Sequence, residues 1–209
     1  MKFLFKNALL FLFILLIGII PGTLRSQSKL RDIKRPNIIF VLVDDMGWGD
    51  LGVFWQNQRM KQKNRSEPWH FTPSLDAMAK NGAMLTNHYC AAPVCAPSRA
   101  SILLGVSQGH ANVRNNQFDK ALQDTYSIGS ILQRAGYSTS LVGKWGLQGL
   151  GGVAPDWPAH PLNRGFDYSY AYIRHVDGHE HYPKEGIYRG KKEVWEDRVN
   201  VAAGLDKCF

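Results

Sequence analysis

Six consecutive apolar residues, Ile38-Ile39-Phe40-Val41-Leu42-Val43, stop abruptly at Asp44-Asp45, and glycines follow at 47, 49 and 52. A continuous apolar run of this length, rich in β-branching, predicts a strand buried on both faces, as in a parallel sheet; a strand with one wet face would alternate. Parallel strands need crossovers, and the sequence supplies them. Thr72-Pro73 opens a helix with Leu75, Met78 and Ala79 on one face and Gly82 behind it. Pro97 begins a second helix that Gly105 closes, and Ser127 caps a third, with Ile128, Ile131, Leu132 and Ala135 on one side and Gly136 at its end. Further strands are predicted at 83–89 and 137–143. The alternation gives an α/β fold with a largely parallel sheet flanked by helices.

The chain has 209 residues, 44% hydrophobic and 20% charged, enough apolar material for a packed core and unlike a disordered segment. Its net charge of +8 raises nucleic acid as a partner, but three of the basic residues, Lys2, Lys6 and Arg25, lie in the first 26 positions. The remainder carries 22 basic against 17 acidic residues, scattered in pairs such as Lys191-Lys192, with no dense run to follow a phosphate backbone. Nucleic acid is not an expected partner. Lys2 and Lys6 instead form the positive start of a leader whose apolar stretch, 8–20, ends at Pro21-Gly22, with the small residue Ser26 before a cleavage point. Thirteen apolar residues fall short of the ~20 that span a bilayer core, so a signal peptide over 1–26 is expected, no stable membrane span after cleavage, and an exported, periplasmic or secreted product. An uncleaved anchor is the alternative, given Phe3 to Phe5 on its flank. Residues 27–35 read as a polar linker. Three cysteines, Cys90, Cys95 and Cys208, are too few for a disulfide scaffold.

Two groups of residues could carry chemistry. Adjacent carboxylates at the carboxyl end of a buried strand occupy the edge where open α/β sheets bind ligands, and a hard divalent cation would relieve their repulsion; a solvated turn is the plainer reading of the same dipeptide. Cys95-Ala96-Pro97-Ser98-Arg99 sits where a helix begins. Unpaired N–H groups and the dipole there favour an oxyanion, and Arg99 adds a fork-shaped cation suited to sulfate or phosphate. An inert buried thiol remains the alternative for Cys95.

Cys95-Ala96-Pro97-Ser98-Arg99 also matches the Cys-x-Pro-Ser-Arg signature of the cysteine-type, formylglycine-dependent sulfatases. Around it, Pro36-Asn37-Ile38-Ile39 through Asp44-Asp45-Met46-Gly47 resembles that family's opening strand and metal motif. Thr72-Pro73-Ser74-Leu75-Asp76 resembles its next helix, and Ala135-Gly136-Tyr137-Ser138-Thr139 through Gly143-Lys144-Trp145 its second signature. The likeness runs from about Pro36 to about Tyr188, and Asn163-Arg164-Gly165-Phe166-Asp167-Tyr168 with His181-Tyr182-Pro183 is most similar to exported bacterial members that degrade polysaccharides. The resemblance implies an alkaline-phosphatase-like fold and hydrolysis of sulfate esters on a carbohydrate or small aryl alcohol. It also implies that Cys95 is oxidised to formylglycine by a formylglycine-generating enzyme or an anaerobic sulfatase-maturating enzyme. One hydroxyl of the hydrated aldehyde would attack sulfur, and loss of the other's proton would expel sulfate. Asp44, Asp45 and the converted Cys95 would hold calcium, with magnesium the lesser candidate, while Arg99 would steady the diol and Lys144 would neutralise a sulfate oxygen.

The chain departs from that pattern in three places. Gly146 stands where the family usually has a histidine beside the formylglycine; His110 or one of His175, His179 and His181 could substitute. Leu103-Leu104-Gly105 replaces the usual Leu-Thr-Gly, exchanging a hydroxyl for an apolar contact. Family members are also roughly twice as long or more, their second half supplying an Asp-Asn pair, a lysine and a histidine. Residues 36–209 are therefore expected to be the N-terminal portion of a catalytic domain, truncated and inactive alone. His179-x-His181 lacks a local acid or cysteine to complete a transition-metal site; with Tyr182 and Tyr188 nearby it could hydrogen-bond a sugar at a pocket rim, or be an ordinary polar loop. Asn64-Arg65-Ser66 matches a glycosylation acceptor but reads as a surface loop. A phosphonate monoester or phosphodiester hydrolase and a non-catalytic remnant are the rival functions.

Overall fold

The computed structural model describes residues 35–64, 66, 69–116, 120–150, 156–179 and 193–201. The leader, nearly all of the linker, Arg65, His181, Tyr182, Tyr188 and Cys208 lie outside the described residues. The chain divides into two units, Met1–Val43 and Asp44–Phe209. In the first, residues 35–43 form neither helix nor strand and all are exposed, Ile39 by 88%. The strand expected at 38–43 is therefore corrected. An apolar run encodes a tendency to be buried, but a strand exists only beside a ladder partner, and among the described residues none pairs with this run.

The second unit begins with tight turns. Gly47 N donates to Asp50 Oδ2 at 2.7 Å, closing a 3-10 turn at Trp48–Asp50, and a π-helical turn at Gly52–Gln56 runs into the short helix α1, Asn57–Lys61. Helix α2, Pro73–Asn81, starts at its proline as expected, and Thr72 acts as a clasp rather than a simple cap. Its Oγ1 accepts from Gly52 N at 2.8 Å and donates to Asp76 Oδ1 at 3.0 Å; Asp76 also accepts from Val53 N at 3.1 Å and Asn57 Nδ2 at 2.7 Å. The face expected to be buried is open, with Leu75 41% and Met78 68% exposed. The strand expected at 83–89 is an exposed loop, for the same want of a partner.

Helix α3, Cys95–Leu104, ends at Gly105, whose φ of 63° is the left-handed stop that glycine supplies at no steric cost. Helix α4, Ile128–Arg134, starts with a reciprocal cap: Ser130 N donates to Ser127 Oγ at 3.1 Å and Ser127 N to Ser130 Oγ at 2.8 Å. Strand β1, Ser140–Lys144, pairs in parallel with β2, Tyr168–Tyr172, Ser140 opposite Tyr168 and Lys144 opposite Tyr172. Two short strands, β3 (Trp195–Glu196) and β4 (Val199–Asn200), extend the sheet antiparallel in the order β1-β2-β3-β4. The core gathers Ala100 and Leu104 of α3, Trp145, Leu147, Ile173 and Trp195. Leu104, at the position where the family pattern has threonine, is 1% exposed, so the lost hydroxyl is replaced by apolar burial.

The Asn163-Arg164-Gly165-Phe166-Asp167 motif turns out to be a fastener. Asp167 Oδ2 accepts from Thr139 N at 2.9 Å and Thr139 Oγ1 at 3.1 Å, Thr139 Oγ1 lies 2.8 Å from Gly165 O, and buried Arg164 donates from Nε and Nη2 to Leu122 O at 3.2 and 2.9 Å. Gly165 has a φ of 85°, and an added Cβ would overlap Ser130 N and Cα at the start of α4. Gly165→Ala therefore combines left-handed strain of about 1–2 kcal/mol with a backbone clash. A clear fall in Tm is expected, at roughly 2–4 °C per kcal/mol, and an unchanged Tm would show that α4 yields freely.

Asp76 and Asp167 are each held below the usual carboxylate range. Asn57 is the main cause for Asp76, and the Thr139 backbone N–H for Asp167. A depressed native pKa stabilises the fold above the unfolded value of 3.8, and that contribution disappears as pH falls through the native value. Acid unfolding monitored by circular dichroism should lose part of its pH dependence below that value in Asp76→Asn and Asp167→Asn, and a superimposable acid limb would refute the clasps.

Candidate active site

Cys95 is the first residue of α3, entered from Val94 in extended conformation (φ −133°, ψ 161°). Pro97 in the first turn costs nothing there, since its missing N–H would have had no partner in the helix. Ala96, Pro97 and Ala100 are buried, and Ala96 N donates to Asn116 Oδ1 at 3.0 Å, so the helix start is anchored while Cys95 stays partly exposed. Four residues on, and on the same face, Arg99 donates from Nε to Trp145 O at 3.2 Å. Burial lowers the Arg99 pKa, Asp44 and Cys95 oppose that shift, and a guanidinium stays cationic throughout.

Asp44 reaches the same point. Its Oδ1 lies 3.9 Å from Cys95 Sγ and its Oδ2 3.4 Å from Lys144 Nζ, with the Lys144 side chain 8% exposed and that of Asp44 46%. Lys144 ends β1, and because β1 and β2 are parallel their carboxyl ends share an edge, the edge where α/β sheets bind ligands. The ladder continues past the strands: Trp145 N donates to Tyr172 O at 2.8 Å and Gly146 N to Ile173 O at 2.9 Å.

From that edge the chain passes into a 3-10 turn at Val176–His179. Arg174 pins the turn by a two-pronged pair to Asp177, at 2.7 and 2.8 Å. Gly178 lies against the stem of Lys144, where an added Cβ would come within 2.7 Å of Lys144 Cγ. The turn delivers His175, fully buried, and His179, exposed, with ring centroids 4.8 Å apart. One ligand atom from each of Cys95, His175 and His179 lies within 4.8 Å of the other two. Burial, then the Lys144 charge, lowers the His179 pKa.

The absent histidine at 146 has a spatial explanation. Gly146 adopts a φ of 68°, and an added Cβ would meet His175 Nδ1 at 3.1 Å and His175 Cα at 3.3 Å. A side chain at 146 and the imidazole of His175 compete for one space. His110 is exposed and its Nδ1 sits 2.9 Å from Ser107 Oγ in the turn after α3. His175 is fully buried, unlike a residue of a solvated loop. Cys95, distant in sequence, is brought beside His179 by the fold.

Of the residues singled out in the sequence, Asp44, Cys95, Arg99, Lys144 and His179 come together. Asp45 is exposed and left-handed at φ 57°, a conformation costly for a non-glycine residue and common where a side chain must be aimed. It follows an exposed extended segment rather than a buried strand. His181 lies outside the described residues, and Cys90 is an exposed thiol. Sequence reasoning missed Asn116 and Gly178, for which no local pattern exists, since each acts on a residue distant in the chain. Asn64 and Ser66 form a surface turn, with Asn64 Oδ1 3.2 Å from Ser66 N.

A divalent cation fits the donors by hardness and charge. Two adjacent carboxylates, one of them open to solvent and facing Cys95, present the oxygen ligands that calcium prefers, whereas the Cys95 sulfur itself is too soft to serve.

A helix N-terminus carrying a cysteine, flanked by carboxylate, guanidinium and ammonium at the carboxyl edge of a parallel strand pair, defines a candidate centre for chemistry on an oxyanion ester. The sulfatase family model matches residues 36–203, and the chain belongs to the sulfatase family. Rat arylsulfatase G is 37% identical over 170 residues, 76% of this chain and 29% of its own length. Human N-acetylgalactosamine-6-sulfatase is 39% identical over 144 residues, 63% of this chain and 24% of its own. The crystal structure of Ps i-CgsB matches with a TM-score of 0.58 at 25% identity, over 81% of this chain and 38% of that one. The fold is thus the α/β, alkaline-phosphatase-like fold of the family, represented by part of its sheet. This chain spans about a quarter of the length of the curated relatives it matches.

Proposed function

We propose that this chain forms the N-terminal portion, 36–209, of the catalytic domain of an exported sulfatase acting on sulfate esters of a carbohydrate or a small aryl alcohol. The observation that carries the reading is the convergence of Asp44, Arg99 and Lys144 around Cys95 at the start of α3. Conversion of Cys95 to formylglycine, by a formylglycine-generating or anaerobic sulfatase-maturating enzyme, would supply the oxygen nucleophile. Calcium bound by Asp44 and Asp45 with that oxygen would supply charge to the sulfate group.

The chain's own residues do the rest. Arg99, held by Trp145 O and kept cationic, orients the group at position 95 and faces the charge that builds on it. Lys144, its stem buried against Gly178, keeps its ammonium beside Asp44 within reach of a sulfate oxygen. The buried start of α3 fixes the nucleophile's position before substrate arrives, so little reorganisation remains for the reaction step. His179 sits at the open side of the site, and we assign to it and to His181 contact with the alcohol or sugar portion of the substrate. Export through the leader 1–26 is part of the proposal; among the described residues no helix is long and apolar enough to cross a membrane. The 209 residues expressed alone are expected to be inactive, because the cation shell draws on more oxygens than Asp44 and Asp45 offer.

The test is turnover of an aryl sulfate and an aryl phosphonate by a version completed to the length of its relatives and co-expressed with a maturation enzyme. Preference for the sulfate supports the reading. Preference for the phosphonate replaces it with the phosphonate or phosphodiester hydrolase, and no turnover of either leaves a non-catalytic binding protein as the better account.

A further inference from the structure

We infer that the unconverted thiol form of this chain contains a zinc site built from Cys95, His175 and His179. The three side chains come from two segments far apart in sequence, the first turn of α3 and the stretch after β2 that leads into and includes the 3-10 turn, and one donor atom of each lies within 4.8 Å of the others. Donors bound to a common zinc ion at about 2.3 Å for sulfur and about 2.0–2.1 Å for nitrogen sit roughly 3.3–3.8 Å apart, so a closure of about 1 Å completes the set. Three features hold the donors close to that arrangement, leaving the movement to the exposed His179. His175 is fixed by burial in the space that Gly146 leaves open. The 3-10 turn is pinned by Arg174 and Asp177. Asp44 Oδ1, 3.9 Å from Cys95 Sγ, adds negative charge beside the thiol that favours a cation there.

Ligand softness separates this site from the calcium site proposed above. A thiolate with two imidazoles selects zinc or another thiophilic ion, whereas calcium takes oxygens. Binding replaces the Cys95 S–H bond by an S–Zn bond and releases that proton to solvent. Conversion of Cys95 to an aldehyde would remove the site's sulfur ligand. The inference concerns the thiol form and does not depend on sulfatase turnover.

The full 209-residue chain, expressed without a maturation enzyme and carrying Cys90→Ser and Cys208→Ser so that Cys95 is the only thiol, is titrated with cobalt(II) and then zinc. One equivalent of cobalt is expected to give a thiolate-to-metal charge-transfer band that one equivalent of zinc removes, and calcium leaves the band unchanged. Cys95→Ser should abolish the band. His179→Ala, at an exposed position that leaves the core intact, should weaken binding at least about tenfold. Zinc should also slow alkylation of Cys95 at least about tenfold in the parent chain and far less in His179→Ala. No band in the parent, a band that survives Cys95→Ser, undiminished binding in His179→Ala, or alkylation unaffected by zinc would each overturn the inference.

Discussion

Cys95→Ala in a full-length, co-matured version is expected to lower kcat for an aryl sulfate by about four to six orders of magnitude, the usual loss when a covalent nucleophile is removed. Alanine leaves the helix start intact. Ala96, Pro97 and Ala100 still anchor α3, and Asn116 still accepts from Ala96 N. Tm should therefore stay close to that of the parent, which separates a chemical role for Cys95 from a structural one. Peptide mass spectrometry of the parent should locate the sulfur-to-oxygen conversion at Cys95 and leave Cys90 a thiol. A variant that keeps more than about a hundredth of the parent rate would place the nucleophile elsewhere.

Asp44→Ala has the second largest expected effect, because one carboxylate serves two cations. It faces the Cys95 sulfur through Oδ1 and Lys144 through Oδ2, so its loss would remove the proposed calcium ligand and leave a nearly buried ammonium without that carboxylate. In the parent, calcium at a hundredfold excess over Kd should add about 2.7 kcal/mol of stability. In Asp44→Ala, and in Asp45→Ala, that calcium-dependent rise in Tm should vanish together with turnover. Persistence of the calcium shift in both variants would reduce Asp44-Asp45 to a turn.

Helices α3 and α4 were readable from sequence because their signals are local. Pro97 with Gly105, and Ser127 with Gly136, mark each helix within its own ten or so residues, and the caps form as those residues dictate. Strand β1 was readable to within a few residues for a related reason, since it lies between the stop of α4 and the Gly143-Lys144 end. The run at 38–43 is wholly apolar and 83–89 holds Ala83, Met84, Leu85 and Tyr89, yet strands are defined by partners, and partners are not encoded within the run. Beyond Gly146 the aromatic-rich sequence hid β2, whose alternation in Tyr168–Tyr172 is of aromatic with small residues rather than apolar with polar.

The site divides along the same line. Cys95 with Arg99 and Asp44 with Asp45 are adjacent or one helical turn apart, so motif spacing exposed them. The approach of the turn Val176–His179 to Cys95 depends on the register of β1 against β2, which puts Lys144 opposite Tyr172 and carries the following residues over the start of α3. Nothing in the local sequence around His175 announces that neighbour. Asparagine 116 and glycine 178 were invisible for the same reason.

The fit of Gly146 against His175 makes the two positions epistatic. Gly146→His alone would strain a residue at φ 68° and bring its Cβ to 3.1 Å from His175 Nδ1 and 3.3 Å from His175 Cα, so His175 would have to shift. His175→Gly alone would open a void beside a bare glycine. The exchange Gly146→His with His175→Gly should cost less than the sum of its parts, because it moves one imidazole between two attachment points around a shared volume. Each single change should therefore be less stable than the exchange of both, so the identity of residue 146 is tied to that of residue 175 through packing as well as through chemistry.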